Sequence, residues 1–151
     1  MTTSKQIQTI LNGTITSLKS VIPISMDIQP PASSQHPFEQ SEMGVLIGIV
    51  GDMKGRIIID STSDIFSTLS HHMFGMSLEG EMLESFTGEL GNMIAGNICT
   101  VASNDGLEID ITPPTVLVGK TKLYGFHQAI RLPVLLTDIG EMTIILTIDE
   151  I

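Results

Sequence analysis

The sequence predicts an α+β fold, in which an antiparallel sheet carries long helices packed on it. Helix-like and strand-like segments are grouped along the chain rather than strictly alternating, which favours antiparallel over parallel strands. The chain has 151 residues, of which 42% are hydrophobic, so it is long enough to bury a substantial core. We therefore expect a single domain over residues 1–151.

Helical periodicity of apolar residues near the N-terminus predicts a first helix over residues 4–20, which ends before Pro23. Ile24–Ile28 follows as a candidate edge strand. Gln29–Gln40 contains several prolines and serines, a composition typical of a loop.

A hairpin is predicted next, because Met43–Val50 and Arg56–Asp60 are rich in β-branched residues and flank a turn with glycine at both ends. The turn lacks the Lys-Ser/Thr of a phosphate-binding loop, so we read it as a turn. A second helix then begins at a cap within residues 61–64 and stops at Gly75. Its predicted buried face consists of Ile65, Phe66, Leu69, Met73 and Phe74.

The C-terminal third has strand character. Thr115–Gly119 is a short predicted strand, and Lys120–His127 is a predicted polar loop. Gln128–Thr137 and Glu141–Asp149 form a second predicted hairpin. Alternation over residues 143–148 predicts a central strand with one well-covered face.

The functional interpretation rests on a long helix around Glu84–Asn97, which ends near Gly106. At about 100° per residue its side chains sort onto distinct faces. An apolar stripe contains Leu83, Phe86, Leu90, Ile94, Ile98 and Val101. The opposite face contains Ser85, Glu89, Asn92 and Gly96. Between them lies a line of small residues, Gly88, Gly91, Ala95, Cys99 and Ala102. A helical glycine costs about 1 kcal/mol relative to alanine, so these glycines indicate close packing or docking.

Glu89 and Asn92 are the candidate catalytic residues. Three positions apart, they are neighbours on one helical surface and can engage one partner together. An amide both donates and accepts hydrogen bonds, so Asn92 can orient a water molecule without ionising, while Glu89 can capture a partner's cation. The alternative is that both are solvated residues of an ordinary helix face.

The pattern Ser85-x3-Glu89-x2-Asn92, continuing to Asn97, resembles the signature of the CheC/CheX/FliY family of chemotaxis phosphatases. CheC proteins carry two copies of this signature, and the single copy here is most like CheX. The family pattern ends in a proline. At that position this sequence has Thr115, preceded by Pro113 and Pro114.

The resemblance implies a CheX-like domain that hydrolyses the phosphoaspartate of a CheY-like receiver domain, with Asn92 positioning the attacking water. It implies that Glu89 forms a salt bridge to the receiver's lysine, with Ser85 as a weaker contact. Gly88 and Gly96 would let the partner approach closely. It also implies a homodimer in the cytoplasm, without a cofactor of its own, and a Mg²⁺ ion on the receiver.

Two other functions remain open: a receiver-binding adaptor without phosphatase activity, and a scaffold domain such as a flagellar switch component. The net charge of −10 argues against nucleic acid or an anionic membrane as partners. The N-terminus lacks the profile of a secretory signal, and no apolar run is long enough to span a bilayer.

The histidines, the methionines and the single cysteine do not indicate a further functional site. His71 and His72 are adjacent on a helix and point about 100° apart, so we predict no metal site there. Cys99 is interpreted as a packed small residue. The methionines near the long helix are interpreted as adaptable packing residues. They are Met73, Met76, Met82 and Met93.

Overall fold

The computed structural model describes residues 3–34, 38–40 and 42–149. Its helices are α1 (Ser4–Val21), α2 (Ser63–Phe74) and α3 (Gly80–Asn104). Its strands are β1 (Met26–Ile28), β2 (Ala32–Ser34), β3 (Phe38–Gln40), β4 (Met43–Gly51), β5 (Gly55–Ser61), β6 (Ile109–Ile111), β7 (Thr115–Val118), β8 (Thr121–Leu123), β9 (Gln128–Leu136) and β10 (Gly140–Ile148). The predicted α+β class is confirmed.

Eight strands form one antiparallel sheet in the order β1-β9-β10-β5-β4-β6, with β2 also paired to β9 and β7 to β4. Both predicted hairpins are present, as β4–β5 and β9–β10. They join at the centre of the sheet, where β5 pairs with β10. The predicted edge strand after α1 is also present, as β1.

The helix boundaries follow from their caps. Thr3 and Gln6 form a capping box at the start of α1, and the helix ends at Ile22, just before Pro23. Thr62 caps α2 by accepting a hydrogen bond from the Ile65 amide at 3.2 Å. Gly75 ends α2 at φ 77°, a conformation that glycine adopts without strain. Among the described residues, no helix is long and apolar enough to cross a membrane.

Two predicted loops are wrong in part. Gln29–Gln40 contains β2 and β3, and Lys120–His127 contains β8, which pairs with β3 in a separate two-stranded ribbon. Each of these strands has three residues, too few for an alternating pattern to show in the sequence. Their pairing partners lie far away along the chain, so no local signal marks them.

Strand β10 is central, as predicted, but both of its faces are covered. Every residue of 142–148 is buried. On the face turned away from the main core, Ile58 and Ile145 pack with Leu123 and Phe126, which come from the segment predicted to be a polar loop. The expectation of a single covered face is therefore wrong, because this returning segment lies over the sheet.

Candidate functional site

Helix α3 packs against α1 and against strands β4, β6 and β7 of the sheet. Its apolar stripe is buried as predicted, except for Val101, which is half-buried. A Cβ added to Gly91 would lie 2.6 Å from Val45 Cγ1 on β4, closer than real contacts allow, so the helix rests directly on that strand. On α1, a Cβ added to Gly13 would lie 3.6 Å from Val101 and 3.7 Å from Ile98. These contacts fix which face of α3 points outward.

Gly88 belongs to the internal packing, which corrects the expectation that it admits a partner. It is buried, and a Cβ added to it would lie 3.2 Å from Val116 Cγ2 and 4.0 Å from Pro114 Cγ. The segment that approaches α3 closely at Gly88 is therefore β7 of this chain, not a partner. Pro114, rather than the exposed Pro113, is the proline that lies near the helix.

The outward face of α3 contains the remaining predicted site residues. Ser85 and Glu89 are exposed, and Asn92 and Gly96 are half-buried. A Cβ added to Gly96 would have no other heavy atom within 4 Å among the described residues, apart from the local helix backbone. Three positions separate Glu89 from Asn92, so the carboxylate and the amide lie on one surface of the helix.

The polar side chains on this face have no hydrogen-bond or ion-pair partner in the part of the chain that the structure describes. Across residues 3–34, 38–40 and 42–149, no hydrogen bond or ion pair involves the side chains of Ser85, Glu89 or Asn92. A carboxylate offers acceptors only, whereas an amide offers two donors and one acceptor oxygen. The face can therefore bind a cation through Glu89 and hold a polar molecule through Asn92.

Several apolar side chains on α2, on α3 and between them are exposed, contrary to the sequence interpretation. Phe74 was expected in the buried face of α2, but it is 62% exposed. Met76, Met82 and Met93 were expected to be packing residues, but they are 59%, 61% and 40% exposed. Met82 lies seven positions before Glu89, and Met93 lies four positions after it. This helical spacing was the signal in the sequence that both residues share the outward face.

Other reactive side chains lie elsewhere and form no cluster with this face. His71 and His72 are exposed, with ring centroids 5.9 Å apart. Among the described residues, no group of three or more His, Cys, Asp or Glu side chains could hold a metal ion. Burial, followed by the nearby Asp110 carboxylate, raises the pKa of the Cys99 thiol. This favours the neutral thiol, as expected of a packed cysteine.

Comparison with known proteins decides the family. The chain matches the family described as chemotaxis phosphatase CheX over residues 43–133, which contain the whole outward face of α3. This chain belongs to the CheX family. It is also 32% identical over 133 residues to the CheY-P phosphatase CheX of Thermotoga maritima, covering 83% of this chain and 86% of that protein.

Solved structures related to this CheX-family chain share its fold. A CheC-like superfamily protein from Shewanella sp. PV-4 matches with a TM-score of 0.78 and 24% identity, covering 97% of this chain and 98% of that one. A chain in the CheX-CheY-BeF3-Mg complex from Borrelia burgdorferi matches with a TM-score of 0.76 and 22% identity, covering 95% of this chain and 97% of that one.

Proposed function

We propose that this CheX-family chain hydrolyses the phosphoaspartate of a CheY-like response-regulator receiver domain. The observation that carries the proposal is the pair Glu89 and Asn92, which lie three positions apart on an outward helix face and have no partner within the described chain. The relative from Thermotoga maritima is named a CheY-P phosphatase, and a related CheX forms a complex with CheY, BeF3 and Mg²⁺.

In the proposed reaction, α3 enters the cleft of the phosphorylated receiver. The oxygen of one water molecule bonds to phosphorus as the bond between phosphorus and the aspartate oxygen breaks, giving a free carboxylate and inorganic phosphate. A Mg²⁺ ion and a lysine on the receiver offset the charge on the phosphoryl oxygens. Such transfers depend mainly on positioning and electrostatics, so a neutral side chain that aligns the water is sufficient to accelerate them.

Asn92 is assigned the positioning of the water, since its amide can both accept from and donate to a molecule in line with the phosphorus. Glu89 is assigned the ion pair with the receiver's lysine, which fixes the register of α3 in the cleft. Ser85 lies one turn before Glu89 and is assigned a weaker contact with the receiver. Gly96 is assigned close approach of the receiver, because no side chain of the described residues covers it.

The proposal includes a homodimer acting in the cytoplasm, with no metal or cofactor held by this chain. Mg²⁺ belongs to the receiver in this scheme, because Glu89 is the one carboxylate among Ser85, Glu89, Asn92 and Gly96 on the outward face. A lone carboxylate does not make a Mg²⁺ site without further oxygen ligands.

Phosphate release from a phosphorylated CheY-like receiver with Mg²⁺ tests the proposal. Wild type should accelerate release, and Asn92→Ala should lower kcat by on the order of 100-fold through loss of water positioning. Glu89→Ala should mainly raise KM, by about tenfold or more, as expected for a lost charge-assisted contact. Asn104→Ala is the matched control, because this exposed amide lies on the same helix about 18 Å further along its axis.

The two other functions give different results in the same assay. Binding to the phosphorylated receiver without acceleration would identify an adaptor. Absence of binding to any receiver would leave a scaffold domain with the CheX fold.

A further inference from the structure

Three exposed apolar side chains border the Glu89 and Asn92 face. Phe74, Met82 and Met93 are 62%, 61% and 40% exposed, although each is a large hydrophobic residue. We call these three residues the apolar rim. Exposed apolar side chains that lie together mark a protein-binding surface, and aromatic residues and methionine are enriched in such surfaces.

The apolar rim is continuous with the proposed catalytic face. Met82 lies three positions before Ser85, and Met93 lies four positions after Glu89, so each is a helical neighbour of a site residue. Phe74 reaches α3 from α2, where its ring meets the edge of the Phe86 ring at a centroid distance of 5.7 Å. Phe86 in turn lies four positions after Met82.

The segment after Phe74 is tied down by a buried hydroxyl. Ser70 Oγ is fully buried, lies 2.6 Å from the Ser67 carbonyl and 3.0 Å from the Met76 carbonyl, and accepts a hydrogen bond from the Leu78 amide at 2.9 Å. In the short connection from α2 to α3, Ser70 Oγ therefore lies against both the Met76 carbonyl and the Leu78 amide. Phe74 itself is the last residue of α2, so the helix rather than a free loop presents it.

We propose that the apolar rim is the part of the docking surface that contacts an apolar strip beside the phosphorylation cleft of the receiver domain, an inference that rests on the proposed function. A partner that pairs with Glu89 also lies over Met93, because residues four positions apart on a helix are neighbours on one surface. The same body covers Met82 when it reaches Ser85.

The composition of the apolar rim also defines the kind of partner surface it fits. Methionine is unbranched and polarisable, so Met82 and Met93 can adapt to receiver surfaces that differ in shape. Phe74 is held against Phe86 and offers one fixed contact. The face carries a negative charge at Glu89, so the fitting receiver is apolar beside its cleft and cationic within it. The apolar rim thus sets KM, while Asn92 sets kcat.

The test replaces each side chain of the apolar rim in the full chain and measures both kinetics and binding. Met82→Gln and Met93→Gln keep the length of the side chain and remove its apolar character, and Phe74→Ser removes the ring. Each variant should raise KM for the phosphorylated receiver, and the Kd for a BeF3-activated receiver, by roughly tenfold, with kcat at saturating receiver unchanged within about twofold. Leu135→Gln is the control, because Leu135 is 42% exposed but lies on β9, away from α3.

The outcomes separate this inference from the proposed function. If all three variants keep the KM and Kd of wild type while Asn92→Ala loses turnover, the apolar rim is not a contact and the phosphatase proposal stands. If wild type binds the receiver without turnover and the variants weaken that binding, the apolar rim is a contact and the phosphatase proposal fails. A fall in kcat without a change in KM would overturn the assignment of these residues to docking.

Discussion

Gly91 and Gly96 both lie on α3. Replacing each of them with alanine tests internal packing at Gly91 and partner contact at Gly96. Replacing a helical glycine with alanine adds about 0.5–1 kcal/mol of stability through reduced freedom of the unfolded chain, if the methyl group fits. At Gly96 it fits, because no other heavy atom lies within 4 Å of the added Cβ among the described residues, apart from the local helix backbone. Gly96→Ala should therefore raise Tm by about 1–4 °C for a chain of this size.

At Gly91 the same methyl group meets the sheet. The added Cβ would lie 2.6 Å and 2.9 Å from the two methyl groups of Val45, which is only 1% exposed and cannot turn away. Overpacking of this kind costs about 1–3 kcal/mol, which exceeds the propensity gain. Gly91→Ala should lower the free energy of unfolding by up to about 2 kcal/mol.

Activity should change in the opposite direction to stability at Gly96. If the receiver approaches the backbone there, an added methyl group displaces it and moves the phosphoryl group relative to Asn92. A misplacement of about 1 Å can cost on the order of 100-fold in rate. Gly96→Ala should thus be more stable than wild type and release phosphate from the receiver at least tenfold more slowly.

Thermal unfolding and receiver dephosphorylation, measured on both variants, check this reasoning. A Gly96→Ala protein with raised Tm and full activity would remove Gly96 from the contact face. A Gly96→Ala protein with lowered Tm would refute the inference that the space beside it is open. A Gly91→Ala protein as stable as wild type would show that β4 shifts enough to accommodate the added methyl group.

Two further predictions concern stability. Ser70→Ala should cost about 1–3 kcal/mol in chemical denaturation, because it leaves the Leu78 amide without its acceptor; an unchanged midpoint would show that the connection from α2 to α3 does not depend on this hydroxyl. Burial raises the pKa of Asp60 to about 6, against the opposing effect of Arg131. The folded state then holds its proton more tightly than the unfolded state, so this residue lowers stability progressively as pH rises from about 4 to about 6. Asp60→Asn should be increasingly more stable than wild type over that interval and then by a constant amount; a pH-independent difference between the two denaturation curves would contradict this account.

The sequence predicted the elements that carry a clear local period. Helices α1, α2 and α3 and both long hairpins follow from repeating apolar positions and from caps such as Thr62 and Gly75. The short strands β3 and β8 could not be predicted, because they pair with each other across a long stretch of chain and β8 packs on the sheet through Leu123, neither of which their own composition shows.

The site was predictable in part for a related reason. Helical spacing places Ser85, Glu89 and Asn92 on one face, and the structure leaves that face outward. Helical spacing does not show which apolar residues other elements cover in the folded protein. For this reason Phe74, at the end of α2, was predicted to be buried. Nor does residue size reveal what approaches a glycine: Gly88 faces Val116 of the same chain, whereas Gly96 faces open space.

The position of β10 has a consequence for synthesis of the protein. β10 is the last strand among the described residues, yet it lies between β5 and β9 at the centre of the sheet. While the chain emerges from the ribosome, the β4–β5 hairpin and α3 can form but have no neighbour on the β5 side. The sheet closes only after residue 148 has left the exit tunnel, so until then the free edge of β5 stays unpaired, and a variant that lacks β10 should depend on chaperones.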